Sequence, residues 1–256
     1  MSSLPEVARL ASLILLVVFA LLVLFFTARV RRGQTPLLRP IAAFETLKNL
    51  MARAIEAGQT IHLSLGTGGI TNRAAAETLA GLTVLEHISG QAAAARIPPI
   101  TTTADPAVML LAQNVLCNAY GSDRHGVSRA AAQVRWISPE PAAYAAGVMG
   151  VLSLEEIDGN IMIGRFGDEY LLMGETAHRQ RKPVATVAGA ADPNVLPYVF
   201  ATAPQGLWGE EMFAAGAYLA QKPAHIASLL AQDTVRWLTG LVILGSVLLK
   251  AFGVLG

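Results

Sequence analysis

The two ends of the chain are apolar, and the middle alternates between helical and strand-like patterns. From Leu10 to Ala28 the sequence reads LASLILLVVFALLVLFFTA, without a charged residue. A helix rises about 1.5 Å per residue, so this stretch is long enough to cross a bilayer. A cleaved signal peptide is the alternative, but the run passes directly into RVRR rather than into a small-residue cleavage site. We expect a membrane anchor over residues 1–32.

A second apolar stretch closes the sequence. RWLTGLVILGSVLLKAFGVLG places Trp237 where an interfacial aromatic residue is favoured, and it continues to Gly256. Lys250 interrupts the run, but a lysine near the far end of a span extends its ammonium group to the headgroups. We predict a transmembrane helix over residues 237–256. An amphipathic or re-entrant helix in the membrane interface is the alternative.

Residues 33–236 read as one α/β domain. Ala42–Ala57 has apolar residues at helical spacing, and Gly58 follows as a helix stop. Next come a strand at TIHLSL, a glycine cluster and a helix from about Asn72 to His87. The alternation of strand-like and helical patterns continues through PITTTA, PAVMLLAQNVLCNAY, QVRWIS and PAAYAAGVMGVLSL. This pattern predicts a Rossmann-like, mostly parallel sheet.

The pattern changes after residue 158. In GNIMIGRFGDEYLLMGET, Gly167 and Asp168 separate two strand-like runs, which predicts a β-hairpin insertion. We interpret PVATVAGA and PYVFATA as non-helical and place the next helix from Glu210. Pro223 then opens a helix that can continue into the second apolar stretch.

Composition and charge limit the classes of partner and the compartment. Hydrophobic residues make up 53% of the chain and charged residues 14%, with a mean hydropathy of +0.48, which is high for a soluble domain. A net charge of +1 offers no broad basic surface for nucleic acid. More arginines follow the first apolar stretch than precede it. The positive-inside rule therefore predicts that the α/β domain lies in the cytoplasm, and we expect a location in the cell inner membrane.

The sequence contains no recognisable catalytic or metal-binding set. Cys117 is the only cysteine, and no histidine stands at ligand spacing from a thiol or carboxylate. Asp123, Arg124 and His125 fall together in NAYGSDRHG, which we interpret as a solvated loop without a partner nucleophile. We expect no catalytic residues, no metal and no cofactor.

The candidate ligand-binding residues are Gly66, Thr67, Gly68 and Gly69, with Arg73 as an added charge. They stand between the first predicted strand and its helix, where backbone N–H groups attract anions. However, GTGGITN matches neither G-x-G-x-x-G nor G-x-x-x-x-G-K-[ST]. A tight turn whose glycines allow left-handed φ and close helix packing is favoured over a phosphate-binding loop.

Other polar residues are predicted at the same sheet edge or near it. Asp105 and Asp192 each precede a proline, which predicts helix N-caps. The basic run in ETAHRQRKP is interpreted as a solvated hairpin end. The predicted strand-end residues are Thr101 to Asp105, Ser138, Glu140, Glu175, Thr176 and Asp192.

Two resemblances add expectations. The stretch RPIAAFETLKNLMARAIEAGQTIHLSLGTGGI and the alanine-rich body up to residue 236 resemble a group of bacterial membrane-anchored proteins known as a domain of unknown function. The unit IHLSLGTGGITNRAAAETL is similar to the first strand and loop of Rossmann-like cyclic-oligonucleotide sensor domains. The first resemblance implies no activity, and the second implies a nucleotide ligand.

The sequence favours a non-enzymatic, membrane-anchored module that assembles with copies of itself or with a related subunit. The pattern of two anchors and the lack of a catalytic set support this interpretation. The alternative is a membrane-tethered sensor that binds a small anionic ligand, such as a nucleotide, at Gly66–Gly69.

Overall fold

Six parallel strands form one sheet in the computed structural model, which describes residues 3–34, 36–121, 123–180 and 184–251. The order across the sheet is β3-β2-β1-β4-β5-β6, with every neighbouring pair parallel. This is the strand order of the Rossmann fold, so the predicted α/β class is confirmed. The strands are β1 (Thr60–Gly66), β2 (Ile100–Thr103), β3 (Val134–Trp136), β4 (Ile157–Arg165), β5 (Ala185–Ala190) and β6 (Gln205–Trp208).

Helices precede the sheet, connect its strands and follow it. As predicted, Gly58 ends the first helix of the α/β body, with a φ of +66°. The helices are α1 (Ser3–Arg31), α2 (Ala42–Ala57), α3 (Ala75–Ala95), α4 (Pro106–Tyr120), α5 (Arg124–Ala132), α6 (Pro141–Leu154), α7 (Tyr170–His178), α8 (Leu196–Thr202), α9 (Ala215–Tyr218) and α10 (Pro223–Ala251); a 3₁₀ turn over Gly209–Ala214 precedes α9.

The predicted β-hairpin after residue 158 is wrong. Its first run is β4, but its second run is helix α7. Tyr170, Met173 and Ala177 are buried at helical spacing, and the turn at Gly167 leads into this helix, since the N–H of Tyr170 donates to the Gly167 carbonyl at 3.1 Å. Because β4 and β5 are parallel, the chain must cross over between them, and a hairpin cannot make that connection.

Two further local predictions are wrong. NAYGSDRHG does not form a loop throughout, because α5 begins at Arg124 and the Asp123 side chain caps it by accepting from the N–H of Gly126 at 3.0 Å. PYVFATA is mostly α8 rather than non-helical, and the short strand β6 follows it.

The sheet is covered by two groups of helices. α2, α3 and α4 form one packed group and α6, α7 and α8 form another. Tyr144, Phe166 and Tyr170 are fully buried in the apolar cluster of the second group. Successive residues of a strand point to opposite faces, so His62 and Ser64 of β1 share one face, the face that Tyr144 of α6 covers.

The chain divides into two units. Arg39–Ala220 contains the sheet, and the other unit comprises the chain ends up to Leu38 and from Gln221. Within this second unit, α1 and α10 contact each other. Ala8–Arg31 and Pro223–Ala251 are both long and apolar enough to cross a membrane. The predicted helix from Pro223 into the second apolar stretch is confirmed to Ala251, and residues 252–256 of the predicted span lie outside the described residues.

Candidate functional site

The loop after β1 lies where the strand order reverses. β1 and β4 are neighbours, but the chain continues from β1 to β2 and β3 on one side and from β4 to β5 and β6 on the other. In open α/β sheets, ligands bind beyond the carboxyl ends of the strands at such a switch point. The fold therefore brings the predicted residues Gly66, Thr67, Gly68, Gly69 and Arg73 to the ordinary position of a ligand site.

The glycines of this loop allow close packing against the end of β4. Gly66 has a φ of +75°, and a Cβ there would overlap the carbonyl oxygen of Arg165. A Cβ on Gly68 would lie 2.7 Å from Oγ1 of Thr78 and 2.8 Å from Cβ of Arg165. The N–H of Thr67 donates to the Arg165 carbonyl at 2.8 Å. The packing role predicted for the glycines is thus observed, with the left-handed φ at Gly66.

An open pocket of about 600 Å³ lies on this loop. Arg73 is exposed, whereas Arg165 at the end of β4 is half-buried. Two guanidinium groups and the Asn72 side-chain amide therefore line the same space, which suits an anion, whereas the Thr67 hydroxyl donates to the Arg165 carbonyl at 3.2 Å. The lining residues are Thr67, Gly68, Asn72, Arg73, Ala74 and Arg165.

Backbone N–H groups add further donors. Within the described part of the chain, those of Gly68, Gly69 and Ile70 donate no hydrogen bond, although Gly68 and Gly69 are buried. Buried backbone N–H groups are almost always paired, so unpaired ones at a switch point are candidate donors to a ligand. α3 begins further on, at Ala75, and two N–H groups there are paired with Asn72: its Oδ1 accepts from the N–H of Ala74 at 2.9 Å and its carbonyl from the N–H of Ala75 at 3.1 Å. The N–H groups of residues 68 to 70 are therefore loop donors without an acceptor among the described residues.

Two carboxylates balance the charge of Arg165. Nη1 of Arg165 lies 3.3 Å from Oε1 of Glu77, and Nη2 lies 3.0 Å from Oδ2 of Asp192. Burial raises the pKa of Glu77, while the nearby Arg165 charge acts in the opposite direction. The second oxygen of Glu77, Oε2, is buried without a hydrogen-bond partner among the described residues. Arg73 makes no ion pair among the described residues, so its guanidinium group is available to an anion in the pocket.

The predicted caps differ in outcome. Asp105 caps α4, since its Oδ1 accepts from the N–H groups of Ala107 and Val108 at 2.8 and 3.0 Å. Asp192 instead opens a turn by accepting from the N–H of Asn194 at 3.0 Å, and α8 begins only at Leu196.

Several other predicted polar positions do not contribute to the pocket. Glu175 and Thr176 lie within α7 rather than at a strand end. Asp123, Arg124 and His125 lie at the start of α5. Among the described residues, no group of three or more His, Cys, Asp or Glu side chains is placed to hold a metal ion. Arg179 pairs with Glu175, whereas residues 181 and 182 of the predicted basic run lie outside the described residues.

Sequence reasoning missed a buried hydrogen-bond chain below the pocket. Nδ1 of His62 lies 2.7 Å from Oδ1 of Asn160, and Nε2 lies 2.9 Å from Oγ1 of Thr102. The Tyr144 hydroxyl lies 3.1 Å from Oγ1 of Thr102 and 2.7 Å from Oγ of Ser64. All five side chains are buried. The sequence signal was the recurrence of polar residues every second position on one face of a strand with an otherwise apolar interior.

Burial changes the protonation chemistry of this chain. Desolvation lowers the pKa of His62 to about 4, although the hydrogen bond to Asn160 raises it. Burial raises the pKa of Tyr144 to about 12. The acceptor at Asn160 assigns the imidazole proton to Nδ1, so Nε2 accepts from the Thr102 hydroxyl. The His62 imidazole and the Tyr144 hydroxyl are therefore neutral near pH 7. This hydrogen-bond chain connects β1, β2, β4 and α6.

Comparisons with known proteins identify a family but no activity. The sequence profile of one family, described as a domain of unknown function, matches residues 2–255. No curated protein and no solved structure matches the chain.

Proposed function

The chain belongs to this family, DUF6754, and we propose that it is a membrane-tethered module that binds a small anionic ligand, such as a nucleotide phosphate, at the switch point of its sheet. The observation that carries the proposal is the donor-rich pocket beyond β1 and β4. The sequence alone favours self-assembly over ligand binding. We rank ligand binding first, because sequence motifs alone could not show that the loop and the two arginines line one space.

The chemistry of the pocket suits ligand binding rather than catalysis. An anion in the pocket would accept from the N–H group of Gly68 and from the Arg73 guanidinium. Such charge-assisted hydrogen bonds contribute about 1.5–3 kcal/mol each. No nucleophile paired with a general base lines the space, whose described lining consists of amide, hydroxyl, guanidinium and small side chains.

The membrane placement is part of the proposal. Two helices of sufficient length and hydropathy support a tether at each end of the α/β body. The arginines in the last turn of α1 and directly after it support an inner-membrane location with that body in the cytoplasm, by the positive-inside rule.

A ligand screen tests the site. At a hundredfold excess over Kd, we expect phosphate or a mono-, di- or cyclic nucleotide to stabilise the full chain by about 2.7 kcal/mol, measured as a melting shift in mild detergent. Arg73→Gln removes an exposed charge and should weaken binding about tenfold without changing the melting temperature of the free protein. Arg124→Gln, an exposed arginine on α5, is the matched control and should bind as the wild type does.

The proposal fails if none of these ligands shifts the wild-type melt. It also fails if Arg73→Gln and Arg124→Gln weaken binding equally, because the effect would then reflect net charge rather than the pocket.

Self-assembly is the second candidate function, and one surface favours it. Phe200 of α8 and Trp208 of β6 are 55% and 44% exposed, and their ring centroids are 4.5 Å apart. Phe213 follows in the 3₁₀ turn and is also exposed. The neighbouring rings of Phe200 and Trp208 form an exposed aromatic patch at the edge strand β6, a feature typical of a protein–protein interface. We therefore propose that copies of the chain, or a related subunit, meet at this aromatic patch, and that the contacts close into a ring or another symmetric assembly.

Mass photometry of the full chain in mild detergent tests the assembly. We expect an oligomer for the wild type, and we expect Phe200→Glu to shift it toward monomer by weakening association at least tenfold, since a desolvated aromatic anchor contributes about 2 kcal/mol or more. Leu154→Glu makes the same change at an exposed leucine of α6 and should leave the oligomer intact. A wild type that remains monomeric at micromolar concentration in two detergents would exclude this candidate.

A further inference from the structure

A second pocket, of about 310 Å³, lies in the unit formed by the two chain ends. The pocket is lined by Phe26 and Arg29 from the last turns of α1, by Gln34 and Pro36 from the following segment, and by Leu230 of α10. One side of the pocket is apolar and the other carries a guanidinium group. The pocket is distinct from the switch-point site, since none of its lining residues belongs to the α/β body.

Arg29 makes the polar side of this pocket cationic, and two further arginines follow it in the sequence. Arg29, Arg31 and Arg32 are all exposed, and the sequence has no aspartate or glutamate between Glu6 and Glu45. Nε of Arg29 donates to Oε1 of Gln34 at 2.6 Å, which orients the guanidinium and leaves its terminal N–H groups free for another acceptor.

In the described part of the chain, the arginine side chains do not cap the C-terminus of α1. The carbonyl of Arg29 accepts from the backbone N–H of Arg32 at 3.1 Å, and the carbonyl of Val30 accepts from Gly33 at 2.9 Å. Backbone groups thus pair with these carbonyls of the last turn. The positive charge of the side chains remains available to a ligand.

The apolar side of the pocket continues into an exposed apolar surface. Leu24 and Phe25, next to the lining residue Phe26, are exposed on α1. Leu37 follows the basic segment and is fully exposed, at 102%. A free phosphate would meet only the arginines, whereas a phospholipid presents a phosphate joined to acyl chains and matches both sides.

We propose that this pocket binds the headgroup of an anionic phospholipid, with Arg29 donating to the phosphate and the acyl chains lying along α1 beside Phe26. The inference rests on the membrane placement in the proposed function. A negatively charged headgroup is preferred over a zwitterionic one because Arg29 lines the pocket, Arg31 and Arg32 are exposed close to it in the sequence, and the chain has no carboxylate between Glu6 and Glu45.

Lipid retention measured by native mass spectrometry tests this assignment. The full chain is placed in nanodiscs containing equal amounts of phosphatidylglycerol and phosphatidylcholine, and the lipids that stay bound after release are identified. We expect phosphatidylglycerol to predominate, and we expect Arg29→Gln to reduce its retention about fivefold, the ratio that corresponds to about 1 kcal/mol per juxtamembrane arginine. Arg9→Gln removes an exposed arginine near the other end of α1 and should leave retention unchanged.

The outcomes separate the two levels of the proposal. If the chain fails to enter nanodiscs, the membrane placement and the lipid site both fail. If it enters but retains phosphatidylcholine equally well, or if Arg9→Gln reduces retention as much as Arg29→Gln, only the lipid site is overturned. Displacement of the lipid by millimolar glycerol phosphate would assign the pocket to a soluble phosphate and would also overturn it.

Discussion

Gly66→Ala is expected to destabilise the protein by about 3 kcal/mol or more, measured as the free energy of urea unfolding of the full chain in mild detergent. Two costs combine at this position. A non-glycine residue at a φ of +75° costs about 1–2 kcal/mol, and the new Cβ would overlap the carbonyl oxygen of Arg165, which forces β1 away from β4. These strands are the central pair of the sheet, so little relaxation is available.

Two other glycines separate these costs. Gly58 has a φ of +66° with open space around it, so Gly58→Ala should cost only about 1 kcal/mol. Gly164 is not in the left-handed region, but its Cβ would overlap the Leu65 carbonyl, so Gly164→Ala reports the steric cost alone. If Gly66→Ala costs no more than Gly58→Ala, the loop is not packed against β4 as described.

Lowering the pH from 6.5 to 4 is expected to remove about 3 kcal/mol of stability through His62. Its pKa is about 4 in the folded protein and 6.5 in the unfolded chain. Above pH 6.5 both states carry neutral imidazole and the full stability is present. Between pH 6.5 and 4, His62 binds a proton in the unfolded state but not in the folded state. The free energy of unfolding therefore falls by about 1.4 kcal/mol for each pH unit.

Comparison with a variant isolates this contribution from carboxylates that also titrate. His62→Gln keeps an amide that can donate and accept within the buried chain, and its unfolding free energy should depend on pH less steeply than that of the wild type over this interval. His125→Gln changes an exposed histidine of α5 and should retain the wild-type profile. Equal pH profiles for the wild type and His62→Gln would contradict the buried, neutral state of His62.

The local sequence pattern was sufficient to predict most of the helices and strands. Ala42–Ala57 carries its own helical periodicity and a glycine stop, and Pro106 and Pro141 begin helices α4 and α6. TIHLSL is buried along most of its length, as expected for a central parallel strand. These signals depend on neighbours within a few residues, which is why they can be recognised without tertiary contacts.

The sequence pattern was misleading where a short apolar segment fits both the helical and the strand periodicity. EYLLMGET resembles a strand, but Tyr170, Met173 and Ala177 meet the core only as a helix, and the parallel partner β5 requires a crossover. The four-residue strand β6 has no pattern of its own and is defined by pairing with β5. Such segments take their structure from what they pack against.

The sequence by itself determined the two apolar ends, the alternation of the α/β body and the glycine cluster after its first strand. Only the tertiary structure decided that Arg165, about a hundred residues further along the chain, reaches the Gly68 loop, and that His62, Thr102, Tyr144 and Asn160 form one buried hydrogen-bond chain. The reason is physical: periodicity records which face of an element is buried, whereas the side chains that meet across strands depend on strand order and register, which arise from packing between distant segments.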